Sequence, residues 1–197
     1  MLVPQIYLAS SSPRRRELLE QIGVRYALID IDVPEQQHAA EAPEMYVLRL
    51  ALEKARAGRR MSENRICLPV LGADTAVVIG DAMLGKPVAQ REGIAMLEKL
   101  SGRTHHIYSA VALVSDSEET RLSVSAVTFR KITNAERMAY AACGEGADKA
   151  GGYAIQGRAA AFVSRLEGSY SGVMGLPLFE TAELLMAAGI HIFGNPE

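Results

Sequence analysis

The 197 residues predict an α/β fold built on a mixed sheet. Short β-branched or apolar runs alternate with stretches of helical periodicity, which is the order of an α/β chain. Two long strand-like runs near the middle are separated only by Asp116-Ser117-Glu118-Glu119, a connection too short for anything but an antiparallel pair. Parallel and antiparallel signals together favour a mixed sheet over a purely doubly wound one.

Taken in order, residues 1–9 are largely apolar and read as a first strand centred on Ile6-Tyr7-Leu8, ending at the polar turn Ser10-Ser11-Ser12-Pro13. Leu18, Leu19 and Ile22 then recur at helical spacing, and Gly23 supplies the stop. Residues 26–33 read as a second strand closed by Pro34. From 43 to 57, Val47, Leu50, Ala51 and Lys54 follow one helical face, which puts a lysine at the end of an apolar stripe. Residues 68–71 and 76–79 read as strand on either side of Gly72-Ala73-Asp74-Thr75, so Asp74 is expected at a strand interruption. Gly80-Asp81 turns the chain into a hairpin with Met83-Leu84. Residues 90–100 form a helix, 106–115 and 122–130 the long strand pair, and Thr133-Asn134-Ala135-Glu136 opens a further helix as a capping box. Gly144, Gly146, Gly151, Gly152 and Gly157 make the next stretch a loop in which the backbone takes special conformations or approaches something closely. A strand over 162–166, a turn over 168–172 and a helix over 178–188 complete the chain.

Composition narrows the function. Lys and Arg number 21 against 23 Asp and Glu, for a formal charge of −2, whereas domains that hold nucleic-acid backbone usually carry a basic excess. No stretch reaches the ~18 uncharged apolar residues of a membrane span, and the apolar run before Arg14-Arg15-Arg16 reverses the order of a signal peptide. A soluble, cytoplasmic protein with no nucleic-acid or membrane partner is expected. Cys67 and Cys143 stand far apart with no ligand-spaced neighbour, so neither a disulfide framework nor a zinc site is suggested. Walker-type and Rossmann glycine motifs are absent, as is a nucleophile elbow.

Several segments could carry chemistry. In Ser10-Ser11-Ser12-Pro13-Arg14-Arg15-Arg16, hydroxyls, free N–H groups of a helix start and guanidinium forks converge, as a phosphate chain requires. A bare helix cap by Ser12 with solvated arginines fits equally; but cations at a helix N-terminus oppose its dipole and want a compensating anion. Asp74 is an acid in an apolar surround, which must be paired, hydrogen-bonded or metal-bound, or else serve an Asx-turn. Glu35 and Lys86 taken alone read as surface. Gln156, among glycines, offers one acceptor and two donors at close range, suited to a nucleobase edge. What remains is a carboxylate-rich site supplied with lysine and arginine, and metal-assisted hydrolysis of a phosphate compound suits that inventory.

Ala9-Ser10-x-Ser12-Pro13-Arg14-Arg15, Glu35, Leu50-Ala51-x-Glu53-Lys54-Ala55, Gly72-Ala73-Asp74-Thr75, Gly85-Lys86-Pro87, Asp148-Lys149-Ala150-Gly151-x-Tyr153-x-Ile155-Gln156-Gly157 and Gly175-Leu176-Pro177 occur in this order over most of the chain. Together they resemble the Maf family of nucleotide pyrophosphatases, and in particular its branch acting on dTTP and UTP. Two departures stand out: Gly172-Val173-Met174 replaces a more usual Asn-Val-Val, and Gly151-Gly152 makes the loop before Gln156 more permissive.

The resemblance implies a single domain over 1–197, an elongated mixed-sheet α/β fold with two lobes around a central cleft, related to the inosine-triphosphate pyrophosphatases, and a possible homodimer. It implies hydrolysis of a pyrimidine nucleoside triphosphate to the monophosphate and pyrophosphate. It assigns Asp74 as the proton acceptor, and Glu35 with Asp74 as ligands of Mg²⁺ or Mn²⁺. Lys54, Lys86 and Arg15 would meet the phosphate charge with Ser10, and Arg14, Thr75 and Gln156 would set substrate choice. Two other readings stay open: a non-catalytic nucleotide sensor linked to cell division, and a sibling enzyme acting on modified purine triphosphates.

Overall fold

The structure, a computed structural model, describes residues 3–193; Met1 and Leu2 of the expected first strand lie outside them. The strands are β1 (Ile6–Leu8), β2 (Tyr26–Leu28), β3 (Val70–Ile79), β4 (Ala82–Leu84), β5 (Thr104–Val114), β6 (Glu118–Phe129) and β7 (Val163–Glu167). The helices are α1 (Pro13–Gln21), α2 (Pro43–Met61), α3 (Gln90–Leu100), α4 (Asn134–Cys143), α5 (Tyr170–Met174) and α6 (Leu178–Ala187). The sheet is mixed, as the sequence predicts. Its order is β2-β1-β3-β5-β6-β7 with β4 on β3; β1 pairs parallel with β2 and β3, whereas β3–β4 and β6–β7 are antiparallel.

The chain forms two compact units. The first holds the chain up to Asp74, Ser109–Ser123 and the chain from Gly175 onward; the second holds Thr75–Tyr108 and Val124–Met174. In the second unit Phe129, Tyr153, Phe162 and Tyr140 pack edge to face in the core, the arrangement aromatic quadrupoles prefer. In the first, Tyr7, Ala9, Ile29 and Val70 close over the short parallel strands.

Three expectations are corrected. The second strand stops at Leu28 instead of 33. Its partner β1 ends at Leu8, and after the bond from Ile29 N–H to the Leu8 carbonyl no edge remains to continue the ladder toward Asp30, Asp32 and Pro34. The segment 168–172 is not only a turn: from Tyr170 it becomes the short helix α5, with the Ser169 hydroxyl accepting the Gly172 N–H at 2.9 Å.

The third correction bears most on function. Gly72-Ala73-Asp74-Thr75 is not an interruption but the middle of β3, a continuous ten-residue strand. Its small residues answer to α2. A Cβ at Gly72 would collide with the Ala51 carbonyl oxygen and lie 2.6 Å from the Ala55 nitrogen, so the bare backbone lets helix and strand touch. One turn further on, a Cβ at Gly58 would come within 2.8 Å of Val70 Cγ1. The buried face of α2, Val47, Leu50, Ala51, Lys54, Ala55 and Gly58, recurs at helical spacing and lies against this strand. Gly72→Ala is therefore expected to cost at least about 1–3 kcal/mol, read as a lower midpoint in urea unfolding with an unchanged denaturant slope.

Candidate active site

The centre of the first unit is a lysine on a buried helix face. Lys54 Nζ donates to Asp74 Oδ1 and to Glu35 Oε1, each at 2.6 Å, so the two acceptor oxygens are at most twice that distance apart. The side chains of Lys54 and Asp74 are only 9% and 8% exposed, against 42% for Glu35. Lys54 and Asp74 thus form a buried ion pair, with Glu35 closing it on the solvent side. Such a pair is held by mutual attraction against a large desolvation cost, and removing one partner strands the other.

Three local features build this geometry. Lys54 continues the apolar stripe of α2, so the helix carries its ammonium inward. Asp74 follows the Gly72-Ala73 contact, where helix and strand are closest. Glu35 lies in the loop after β2, and α2 itself ties that loop down. Arg49 forks onto the Glu41 carboxylate at 2.6 and 2.7 Å and donates to the Gln36 carbonyl at 3.0 Å, while the Tyr46 hydroxyl donates to the Glu35 carbonyl at 3.3 Å. Arg49 holds the Glu41 carboxyl down to about 2. Tyr46 and Arg49 carry no signal in the sequence: at i−8 and i−5 from Lys54 they resemble ordinary helix-surface residues, and only the folded loop reveals them.

Arg15 completes the cluster. Its Nη1 donates to the Ser10 hydroxyl at 3.1 Å and its Nε to the Gly175 carbonyl at 2.8 Å. The Ser12 N–H also donates to Ser10 Oγ, at 3.2 Å, and Ser12 occupies the N-cap of α1 with no capping bond from its side chain. The first turn of α1 contains no acid. The compensating anions come from elsewhere in the unit: burial lowers the Arg15 pKa, and Asp74 and Glu35 oppose that effect while neighbouring Arg14 adds to it.

Burial raises the Asp74 pKa above its ordinary 3.8, with Lys54 and then Arg15 pulling the other way. The phenol of Tyr46 is pushed up to about 12 by burial first and then by Asp74 and Glu35. Asp74 is thus a carboxylate whose proton affinity is above normal, kept beside fixed positive charge.

Of the residues singled out from the sequence, the first unit gathers Ser10, Arg15, Glu35, Lys54 and Asp74, with Arg14 adjoining. Thr75 follows Asp74 in β3 at the start of the second unit. Lys86 and Gln156 belong to the second unit. There the Gly151 N–H donates to the Gly85 carbonyl at 3.0 Å, which joins the loop of Lys86 to the glycine-rich loop of Gln156. Both side chains are exposed.

As to a metal, Glu35 and Asp74 are hard oxygen donors of the kind Mg²⁺ or Mn²⁺ takes, and the oxygen of each that is bonded here meets the Lys54 ammonium. Among the described residues no group of three or more His, Cys, Asp or Glu side chains could hold an ion.

Paired acids set against lysine and arginine beside short parallel strands are an arrangement suited to a phosphorylated ligand. A family model described as Maf-like protein matches residues 5–188, and the chain belongs to the Maf family. A protein of Alkalilimnicola ehrlichii named dTTP/UTP pyrophosphatase is 62% identical over 185 residues, covering 92% of either chain. One of the same name from Saccharophagus degradans is 52% identical over 192 residues, covering 96% of this chain and 91% of its own. Among solved structures, a nucleoside-triphosphatase / dITP/XTP pyrophosphatase from Mycobacterium abscessus aligns with 64% of this chain and 74% of its own, at 21% identity and a TM-score of 0.38.

Removing the central lysine tests the cluster. Lys54→Met is expected to cost about 3–5 kcal/mol at neutral pH, because Asp74 is left buried without its main counter-charge. With Asp74 raised further above its unfolded value, its contribution to stability is present at low pH and fades as pH rises. The gap to wild type should therefore narrow between pH 7 and pH 5 in paired thermal melts.

Proposed function

We propose that the protein hydrolyses dTTP and UTP at the bond between the α and β phosphates, releasing the nucleoside monophosphate and pyrophosphate. The observation that carries this reading is the Asp74–Lys54–Glu35 cluster with Arg15 beside it, in a chain 62% identical to a protein named dTTP/UTP pyrophosphatase.

Water is the nucleophile. One oxygen of Asp74 is engaged by Lys54; the carboxylate orients the water and takes its proton as the oxygen bonds to the α phosphorus and pyrophosphate leaves. A base with raised pKa is better matched to this task than a solvated aspartate, because proton transfer is most efficient when the pKa approaches the working pH. Lys54 keeps Asp74 ionised and fixes its orientation. Arg15, held by Ser10 and the Gly175 carbonyl, is a preset positive charge for triphosphate oxygens that needs no rearrangement when they arrive. Glu35 and Asp74 would hold a divalent cation, which when bound neutralises phosphate charge and polarises the reacting phosphoryl group. The positions of Lys86 in Gly85-Lys86-Pro87 and of Arg14, Thr75 and Gln156 in their motifs support roles in phosphate binding and substrate choice respectively.

Among the described residues no helix is long and apolar enough to cross a membrane. Cys67 and Cys143 are free thiols, which suits a reducing, cytoplasmic compartment.

Pyrophosphate release from dTTP and UTP with Mg²⁺ or Mn²⁺ tests the reading. Asp74→Asn should keep the wild-type circular dichroism spectrum and lose activity by at least about a hundredfold; a variant turning over at the wild-type rate would remove Asp74 from the chemistry. In wild type, kcat/KM should fall on acidification as Asp74 takes up a proton, with a midpoint above 3.8 because burial raises its pKa. A midpoint at or below 3.8 would contradict that assignment.

A further inference from the structure

The turn that presents Gln156 is held by a bracket outside the cluster described above. At its start the Ala154 N–H donates to the Tyr140 hydroxyl at 3.0 Å. At its end the Arg158 N–H donates to Glu145 Oε2 at 2.8 Å. Burial first, and the Glu145 carboxylate among the lesser causes, pushes the Tyr140 phenol up to about 12. Two anchors therefore hold the turn, Tyr140 at Ala154 and Glu145 at Arg158, with Gln156 midway between them.

The neighbouring backbone is shaped around the same carboxylate. Gly157 is where a Cβ would collide with Glu145 Oε2, so the acid sits directly against the peptide that follows Gln156. The Gly157 N–H closes back onto the Ala154 carbonyl at 3.1 Å. Gly144, at a φ of 77°, ends α4 in the left-handed conformation, which turns the chain so that Glu145 leaves the helix next to this loop. Tyr140 is buried on α4, whereas Gln156 is exposed. A helix thus carries one end of the bracket, and the residue midway between the two anchors is exposed.

Such an arrangement serves recognition. A glutamine has three torsions before its amide, and each hydrogen bond made from a mobile loop loses affinity to ordering; a site gains when the backbone beneath the amide is already fixed. We propose that Glu145, acting with Tyr140, is a positioning residue that holds the Gln156 turn in place for the nucleobase edge. This rests on the pyrimidine-triphosphate reading above, in which Gln156 governs substrate choice.

A double-mutant cycle tests it, with pyrophosphate release from dTTP and dCTP as the readout. Glu145→Ala should lower kcat/KM for dTTP about tenfold, chiefly through KM, and shrink the preference over dCTP, since misplacement of a contact group is costly even at a distance. Glu145→Gln keeps an acceptor for the Arg158 N–H and should restore most of the loss. In a Gln156→Ala background, Glu145→Ala should have less than about a twofold further effect, because positioning acts only through the residue positioned. Tyr140→Phe keeps its ring in the core and gives a second cycle should Glu145→Ala fold poorly. Equal factors in both backgrounds, or equal losses on dTTP and dCTP, would overturn the positioning role while leaving the activity standing. A wild-type protein inactive on every pyrimidine triphosphate would instead overturn the functional reading.

Discussion

A lysine buried on an otherwise apolar helix face has to find negative charge, and in this protein that requirement organises the first unit. Lys54 meets Asp74 inside and Glu35 at the edge, both at 2.6 Å. The ammonium settles two acids that would otherwise repel each other at close range, and the acids make it possible to bury the ammonium. The same acids also oppose the effect of burial on Arg15, whose position in the first turn of α1 is unfavourable to the helix dipole. Four charged groups from four segments of chain are thus interdependent, and in the proposed function a polyanion with a divalent cation would enter by exchanging partners with charges already in place.

That exchange requires close backbone packing. Gly72 and Gly58 bring β3 and α2 together, so that Lys54 and Asp74 face each other with most of the water excluded. In the proposed function packing therefore serves catalysis: the feature that looks like a weak point of a strand sets the distance in the ion pair. The Glu35 loop is fixed by the same helix through Tyr46 and Arg49, so one rigid element controls the lysine and the loop of one of its acids.

The fold was legible wherever periodicity and turn chemistry agreed. Helix α3 falls on the expected 90–100, and the Thr133–Glu136 capping box is present in full, each side chain bonded to the other's backbone. Strand β3 differs from the expected interruption because a strand buried on both faces beneath a helix needs small residues, and Gly-Ala-Asp-Thr imitates a turn. The second strand was overextended because apolar alternation gives no information on where a partner strand ends. Asp74 and Lys54 could be suspected from charge in an apolar context, but Glu35 emerged only from the resemblance to the Maf family, since an acid after a strand resembles any surface acid. Tyr46, Arg49 and Gly175 act through loop contacts and a backbone carbonyl, which leave no pattern in a one-dimensional sequence.

At the centre of the site Asp74 is a desolvated carboxylate held in the charged form by Lys54. A ¹³C NMR titration of the Asp74 side-chain carboxyl in the ligand-free protein measures this directly. The predicted result is a midpoint displaced above 3.8, shifting higher still when Lys54 is replaced by methionine. An Asp74 that titrates at or below 3.8, and is indifferent to the loss of Lys54, would contradict the buried ion pair and with it the site built around it.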